Sequence, residues 1–103
     1  MDLGKTLMDA VCAKQGWTRY RIAKELHASE GYLSRVYNGK DPISPALAVQ
    51  LAELAGMDTR LAAAEALVSH EKDYTRKIAL ARALRVAIPP EPERSNALTV
   101  QLA

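Results

Sequence analysis

The chain has 103 residues, enough for one domain with a real core and no metal or disulfide support, and 49% of them are hydrophobic. Phe is absent and Trp occurs once, so the core must be assembled from Leu, Ala, Val and Ile, which favours close-packed helices; the single cysteine, Cys12, excludes an internal disulfide framework and a cysteine-based zinc site and fits a reducing cytoplasm. A net charge of +2 is too small to argue for nucleic acid, no apolar run approaches the roughly 18 residues of a membrane span, and "MDLGKTLMDAVC" is amphipathic rather than a leader, so a cytoplasmic protein without membrane contact is expected.

Leu3, Leu7, Ala10 and Val11 mark one face of a first helix that runs to about Lys14 and stops at Gly16, with Cys12 expected as a small buried residue on it. Trp17 is expected under the next element. Thr18 can cap a second helix, "RYRIAKELH", with Ile22, Ala23 and Leu26 inward. Ser29 can cap a third, with Leu33, Val36 and Tyr37 on its buried side and Gly39 as its stop. After the loop "DPIS", Ser44-Pro45 opens a fourth helix with Leu47, Leu51, Leu54 and Ala55 on its face, and Gly56 ends it.

Beyond Gly56, Asp58 can cap a fifth helix, "TRLAAAEALVSHEKD", and "YTRKIALARALRVAI" continues in helical period to Ile88, as one helix with the fifth or broken from it near Asp73. Pro89, Pro90 and Pro92 end all helix, and "EPERSN" is a polar linker. The final "ALTVQLA" is a short strand or a frayed tail. The expected organisation is therefore an all-α fold of five to six helices: residues 1–57, a helical extension over 58–88, and a Pro-rich linker and tail over 89–103.

Charge is distributed unevenly. Residues 14–40 carry six Lys and Arg against Glu25 and Glu30, and residues 72–85 carry five against Asp73, a local excess of four in each. Taken alone, such runs read first as a solvated helix face rather than a partner surface. The third helix, "SEGYLSRVYNG", is too short to be stable alone, because isolated helices below about 12 residues are marginal in water. The few residues "HAS" that join it to the second helix set two brief helices at a large angle, the geometry that places a helix in a DNA major groove.

The stretch from Thr18 to Asp58 resembles the Cro and phage-repressor type of helix-turn-helix domain. The resemblance is carried by Ala23, where close packing admits only a small side chain, by Ser29, Leu33 and Val36, by Asn38-Gly39, and by Pro45 with "LAVQLAELAGMD". His27 departs from the pattern: the turn residue is often glycine there because the backbone is left-handed, a conformation that histidine tolerates better than most residues. The resemblance implies a base-reading set of Glu30, Gly31, Tyr32, Ser34 and Arg35, with phosphate anchors at Arg19 or its backbone amide, Tyr20, Asn38 and Lys40. In that set Arg35 suits a guanine and Glu30 a cytosine amino group; Gly31 admits the backbone close to DNA, and Tyr32 suits a thymine methyl or a sugar-phosphate. Equally, Glu30 favours the positive end of its own helix, Arg35 can pair with Glu30 or Asp41, Tyr37 is core or phosphate-contacting, and Lys24 is solvated.

Such domains usually bind two-fold DNA sites as dimers, so an apolar surface left over from the core is expected. Leu61, Leu67, Ile78, Leu84 and Ile88 are the candidates for a homodimer interface; the alternative is that 58–88 folds back on its own chain. A small phage or prophage repressor acting on double-stranded DNA is the first expectation. An antitoxin-type autorepressor, or a protein-binding module with a toxin or antirepressor as partner, is the rival. No catalytic constellation surrounds His27 or His70 and there is no glycine-rich phosphate loop, so neither an enzyme nor a bound metal or cofactor is expected.

Overall fold

Six helices follow one another in the computed structural model, which describes residues 3–88. Each start from the second onward is fixed by a polar side chain that accepts a backbone N–H which the helix itself leaves without a partner. Thr18 Oγ1 accepts from Arg21 at the head of α2 (Arg19–Leu26), and Ser29 Oγ accepts from Tyr32 at the head of α3 (Glu30–Tyr37). Ser44 Oγ accepts from Leu47 at the head of α4 (Pro45–Ala55), where Pro45 occupies the first turn. Asp58 Oδ1 accepts from Arg60 and Leu61 to open α5 (Thr59–His70), and Asp73 Oδ2 accepts from Arg76 to open α6 (Tyr74–Leu84). The segment after Gly56 is therefore two helices, divided at Asp73.

Four helix ends share one geometry. His27, Gly39, Gly56 and Arg85 are left-handed, and the residue after each sends its N–H back five positions, Ala28 to Ala23, Lys40 to Arg35, Met57 to Ala52 and Val86 to Ala81. At His27, with φ 55° and ψ 37°, a non-glycine residue holds the turn between α2 and α3. Arg85 corrects one expectation. The apolar period continues to Ile88, but the left-handed Arg85 satisfies the last carbonyls and closes α6 at Leu84, so Ile88 lies beyond the helix. The linker and the "ALTVQLA" tail lie outside the described residues.

One core cluster joins α1 (Leu3–Gln15), through Leu7, Met8 and Val11, to Ile22, Ala23, Leu33, Val36, Ile43, Leu47, Ala48, Leu51, Ala52, Ala62 and Ala66. Cys12 is half-buried rather than buried, at the edge of this cluster with Trp17, Tyr32 and Tyr37. α4 packs on α1 and most extensively on α5, whose small Ala62 and Ala66 let the two backbones come close. The close approach that alanines permit is thus made within the chain, and the large Leu61 and Leu67 of α5 are left facing out, each 45% exposed. α6 packs on α5 through Ala81, and His70 Nε2 donates to the Ile43 carbonyl at 2.8 Å, tying the end of α5 to the loop after α3. The described residues form an all-helical fold with no strand, and no helix among them is long and apolar enough to cross a membrane.

Candidate nucleic-acid interface

α3 is held from one side only. Leu33 and Val36 are buried, while Glu30, Gly31, Ser34 and Arg35 are exposed on the other side of the same eight residues. A notch of about 240 Å³ between the start of α2 and the first turns of α3 is lined by Arg19, Tyr20, Glu30, Leu33 and Ser34. Two of the expected phosphate anchors and two of the expected base readers therefore share one concavity, and Tyr20 is 64% exposed beside it.

Three of the expected residues are committed to other partners. Tyr32 is half-buried against the core, and its hydroxyl accepts the Ser44 N–H at 3.2 Å, so it links α3 to the start of α4 instead of standing with the exposed set. Asn38 folds back on its own helix, donating from Nδ2 to the Ser34 carbonyl at 2.9 Å, which makes it a cap for the last turn. Arg35 donates from Nε to Asp41 Oδ2 at 2.8 Å; of the two acids that could pair with it, the one beyond the helix is its partner, and Glu30 is left at the positive N-terminus of α3. Lys40, just past that helix, is exposed.

A second cluster ties the start of α2 to α1 and α3. The guanidinium carbon of Arg19 lies 4.1 Å from the centroid of the Tyr37 ring, Lys5 Nζ lies 5.8 Å from it, and the Tyr37 hydroxyl donates to Asp9 Oδ1 at 2.9 Å. Lys5 and Asp9 belong to α1 and were not legible as site residues, because nothing in sequence places α1 beside Tyr37. The Asp9 carboxylate that accepts its proton, with partial burial, holds the Tyr37 phenol above its ordinary pKa. Burial, then Asp9, also raises the Cys12 thiol above its ordinary pKa.

The sign of the Tyr37 shift gives a test. A pKa raised by folding means that the neutral phenol favours the folded state. That contribution is full below the ordinary tyrosine pKa and is lost as pH rises through the raised one. Stability of wild type against denaturant is therefore expected to fall at alkaline pH more than that of Tyr37→Phe, and parallel curves would count against the Asp9 bond. Arg21 is placed differently from Arg19: it pairs with Glu25 at 2.8 Å one turn along α2 and lies over Trp17.

The 58–88 candidates divide. Leu61, Leu67, Leu84 and Ile88 are exposed, Ile88 at 48%, but Ile78 is half-buried against its own chain. Leu61 and Leu67, six positions apart on α5, point away from each other by about a third of a turn. Among the described residues no group of three or more His, Cys, Asp or Glu side chains is placed to hold a metal ion. No protein-family model matches the chain, nor does any curated protein or solved structure.

Proposed function

We propose that the protein is a sequence-specific DNA-binding transcriptional regulator of the helix-turn-helix type, a dimeric phage or prophage repressor that reads a palindromic operator through α3. The observation that carries this reading is the division of α3, with Leu33 and Val36 locked into the core and Glu30, Gly31, Ser34 and Arg35 turned outward beside Arg19 and Lys40. An eight-residue helix fixed by its neighbours and bare on its outer side suits insertion in a major groove, with polar and basic groups at its ends set for phosphates. The left-handed His27, at the position where the resembling family often has glycine, supports the same reading.

The test is selection of bound sites from a random duplex library. Enrichment of a palindrome with half-sites about one helical turn apart is expected. On that site Arg35→Ala should lose roughly 1–3 kcal/mol of discrimination at one base pair of each half-site. Lys40→Ala should weaken all sequences alike and make binding less salt-dependent. Equal loss on every sequence in Arg35→Ala would refute its base-reading role.

Self-association is assigned to the exposed leucines of α5 and the end of α6. Leu61→Glu or Leu67→Glu is expected to shift a sedimentation-velocity dimer toward monomer at unchanged helicity. Wild type that stays monomeric up to high micromolar concentration would rule the dimer out. The rival reading, a module that binds a protein partner such as a toxin or antirepressor, is favoured by Glu30 and by the neutralisation of Arg35 by Asp41. No enrichment of any DNA sequence would decide for it.

A further inference from the structure

The geometry points to Asp41 as a positioning residue that sets DNA sequence specificity by holding Arg35, without contacting a base itself; this rests on the DNA-binding reading above. Asp41 lies past the end of α3, yet that helix fixes its place. Its backbone N–H reaches the Arg35 carbonyl at 3.3 Å, and the neighbouring Lys40 N–H reaches the same oxygen at 2.9 Å. The side chains then close the loop, Arg35 Nε to Asp41 Oδ2 at 2.8 Å. Pro42 restricts the backbone of Asp41 from the other side, and Ile43, next along, is buried in the core. The carboxylate is therefore carried on a segment pinned at both ends, which suits it to orient a longer and more mobile partner.

What it orients is the far end of Arg35. The hydrogen bond uses Nε, and Nη1 is turned toward Gly31, where a Cβ would stand 3.6 Å from that nitrogen. Gly31 is in the first turn of α3, the turn whose residues approach base edges when such a helix lies in the major groove. A guanidinium anchored through Nε can still offer its terminal nitrogens side by side, the arrangement that guanine O6 and N7 accept. An unanchored arginine would have to lose its rotamer freedom on binding and could contact a phosphate as readily as a base. Asp41 also brings a negative charge toward DNA, which lowers attraction to every sequence equally. It thus favours discrimination over general affinity.

The experiment measures binding to all single-base variants of the selected site for wild type, Asp41→Asn, Asp41→Ala, Arg35→Ala and the Arg35→Ala/Asp41→Ala double variant. Arg35→Ala is expected to flatten the preference at one base pair per half-site. Asp41→Ala should lose about fivefold or more of discrimination at that same pair, and Asp41→Asn, whose amide oxygen still accepts from Nε, should lose less. Both should bind random duplex more tightly than wild type, and once Arg35 is gone Asp41→Ala should add only that uniform gain and change no base preference further. Unchanged preference at the Arg35 pair in Asp41→Ala, with only a uniform gain in affinity, overturns the positioning role and leaves a simple charge effect. If Arg35→Ala alters preference nowhere, the inference falls while DNA binding stands, and if wild type enriches no sequence both fall. The pair is half-exposed, so the variants are expected to stay folded, and thermal melts recorded alongside verify it.

Discussion

Replacing Leu33 by alanine is expected to remove about 2–5 kcal/mol of folding stability, the range for emptying a fully buried leucine site, and, on the proposed reading, to abolish DNA binding before it abolishes the fold. Leu33 is 2% exposed and belongs to the core cluster, on a helix that packs against α1 and α2. Leu33 and Val36 are the only fully buried residues of the eight-residue α3, and so short a helix has no stability of its own to fall back on. A domain of this size is stable by roughly 5–15 kcal/mol, so most molecules should remain folded at low temperature. The loss should be concentrated in α3. Urea unfolding gives the global cost, and amide hydrogen exchange should show protection at Val36 and Tyr37 falling further than at Leu51 and Ala52 of α4. Uniform loss of protection across all helices would mean that α3 does not open separately.

The helix starts were legible because each depends on one polar side chain at a defined distance before an apolar run. Thr18, Ser29, Ser44 and Asp58 take the capping role that their residue types and spacing implied, and Asp73, near which a break was expected, caps α6. The helix ends were legible where glycine marks them and not at Arg85, where a basic residue adopts the same left-handed backbone. Alternative packings of α5 were equally compatible with its sequence. Alanines allow close approach to any partner, and only the fold reveals that α4 of the same chain provides it. In the candidate interface, the exposed set on α3 followed from helical period once Leu33 and Val36 were placed inward. The partners of Tyr32 and Tyr37 did not, since Ser44 and Asp9 reach them across a turn or from another helix, while for Arg35 the sequence left Glu30 and Asp41 as alternatives and the fold selects Asp41. Period assigns a side to each residue; it carries no information about which polar group waits on that side.

Two glycines on the helices behind and within the interface should respond oppositely to the same change. Gly4, in the first turn of α1, is buried against α3: a Cβ there would overlap Val36 Cγ1 and stand 3.1 Å from the Val36 carbonyl oxygen. Neither neighbour yields easily, because Val36 is 1% exposed, its branched side chain strongly favours one rotamer in a helix, and the oxygen moves only with the α3 backbone. Alanine usually improves a helix by up to about 1 kcal/mol over glycine. At Gly4 overpacking of about 1–3 kcal/mol opposes and outweighs that gain. Gly31, on the outer side of α3, meets only Arg35 Nη1 at an ordinary contact distance of 3.6 Å, so alanine there should leave stability unchanged or raise it. The decisive comparison is a cycle with Val36→Ala. Gly4→Ala should lower the unfolding midpoint in wild type but not once Val36 has been trimmed, and a cost that persists in the Val36→Ala background would place the strain in the α3 backbone rather than in the valine side chain. Gly31→Ala, on the other hand, should keep the protein folded while, on the proposed DNA-binding reading, lowering affinity for the selected site, because the added methyl group would stand on the side of α3 that this reading turns toward the bases.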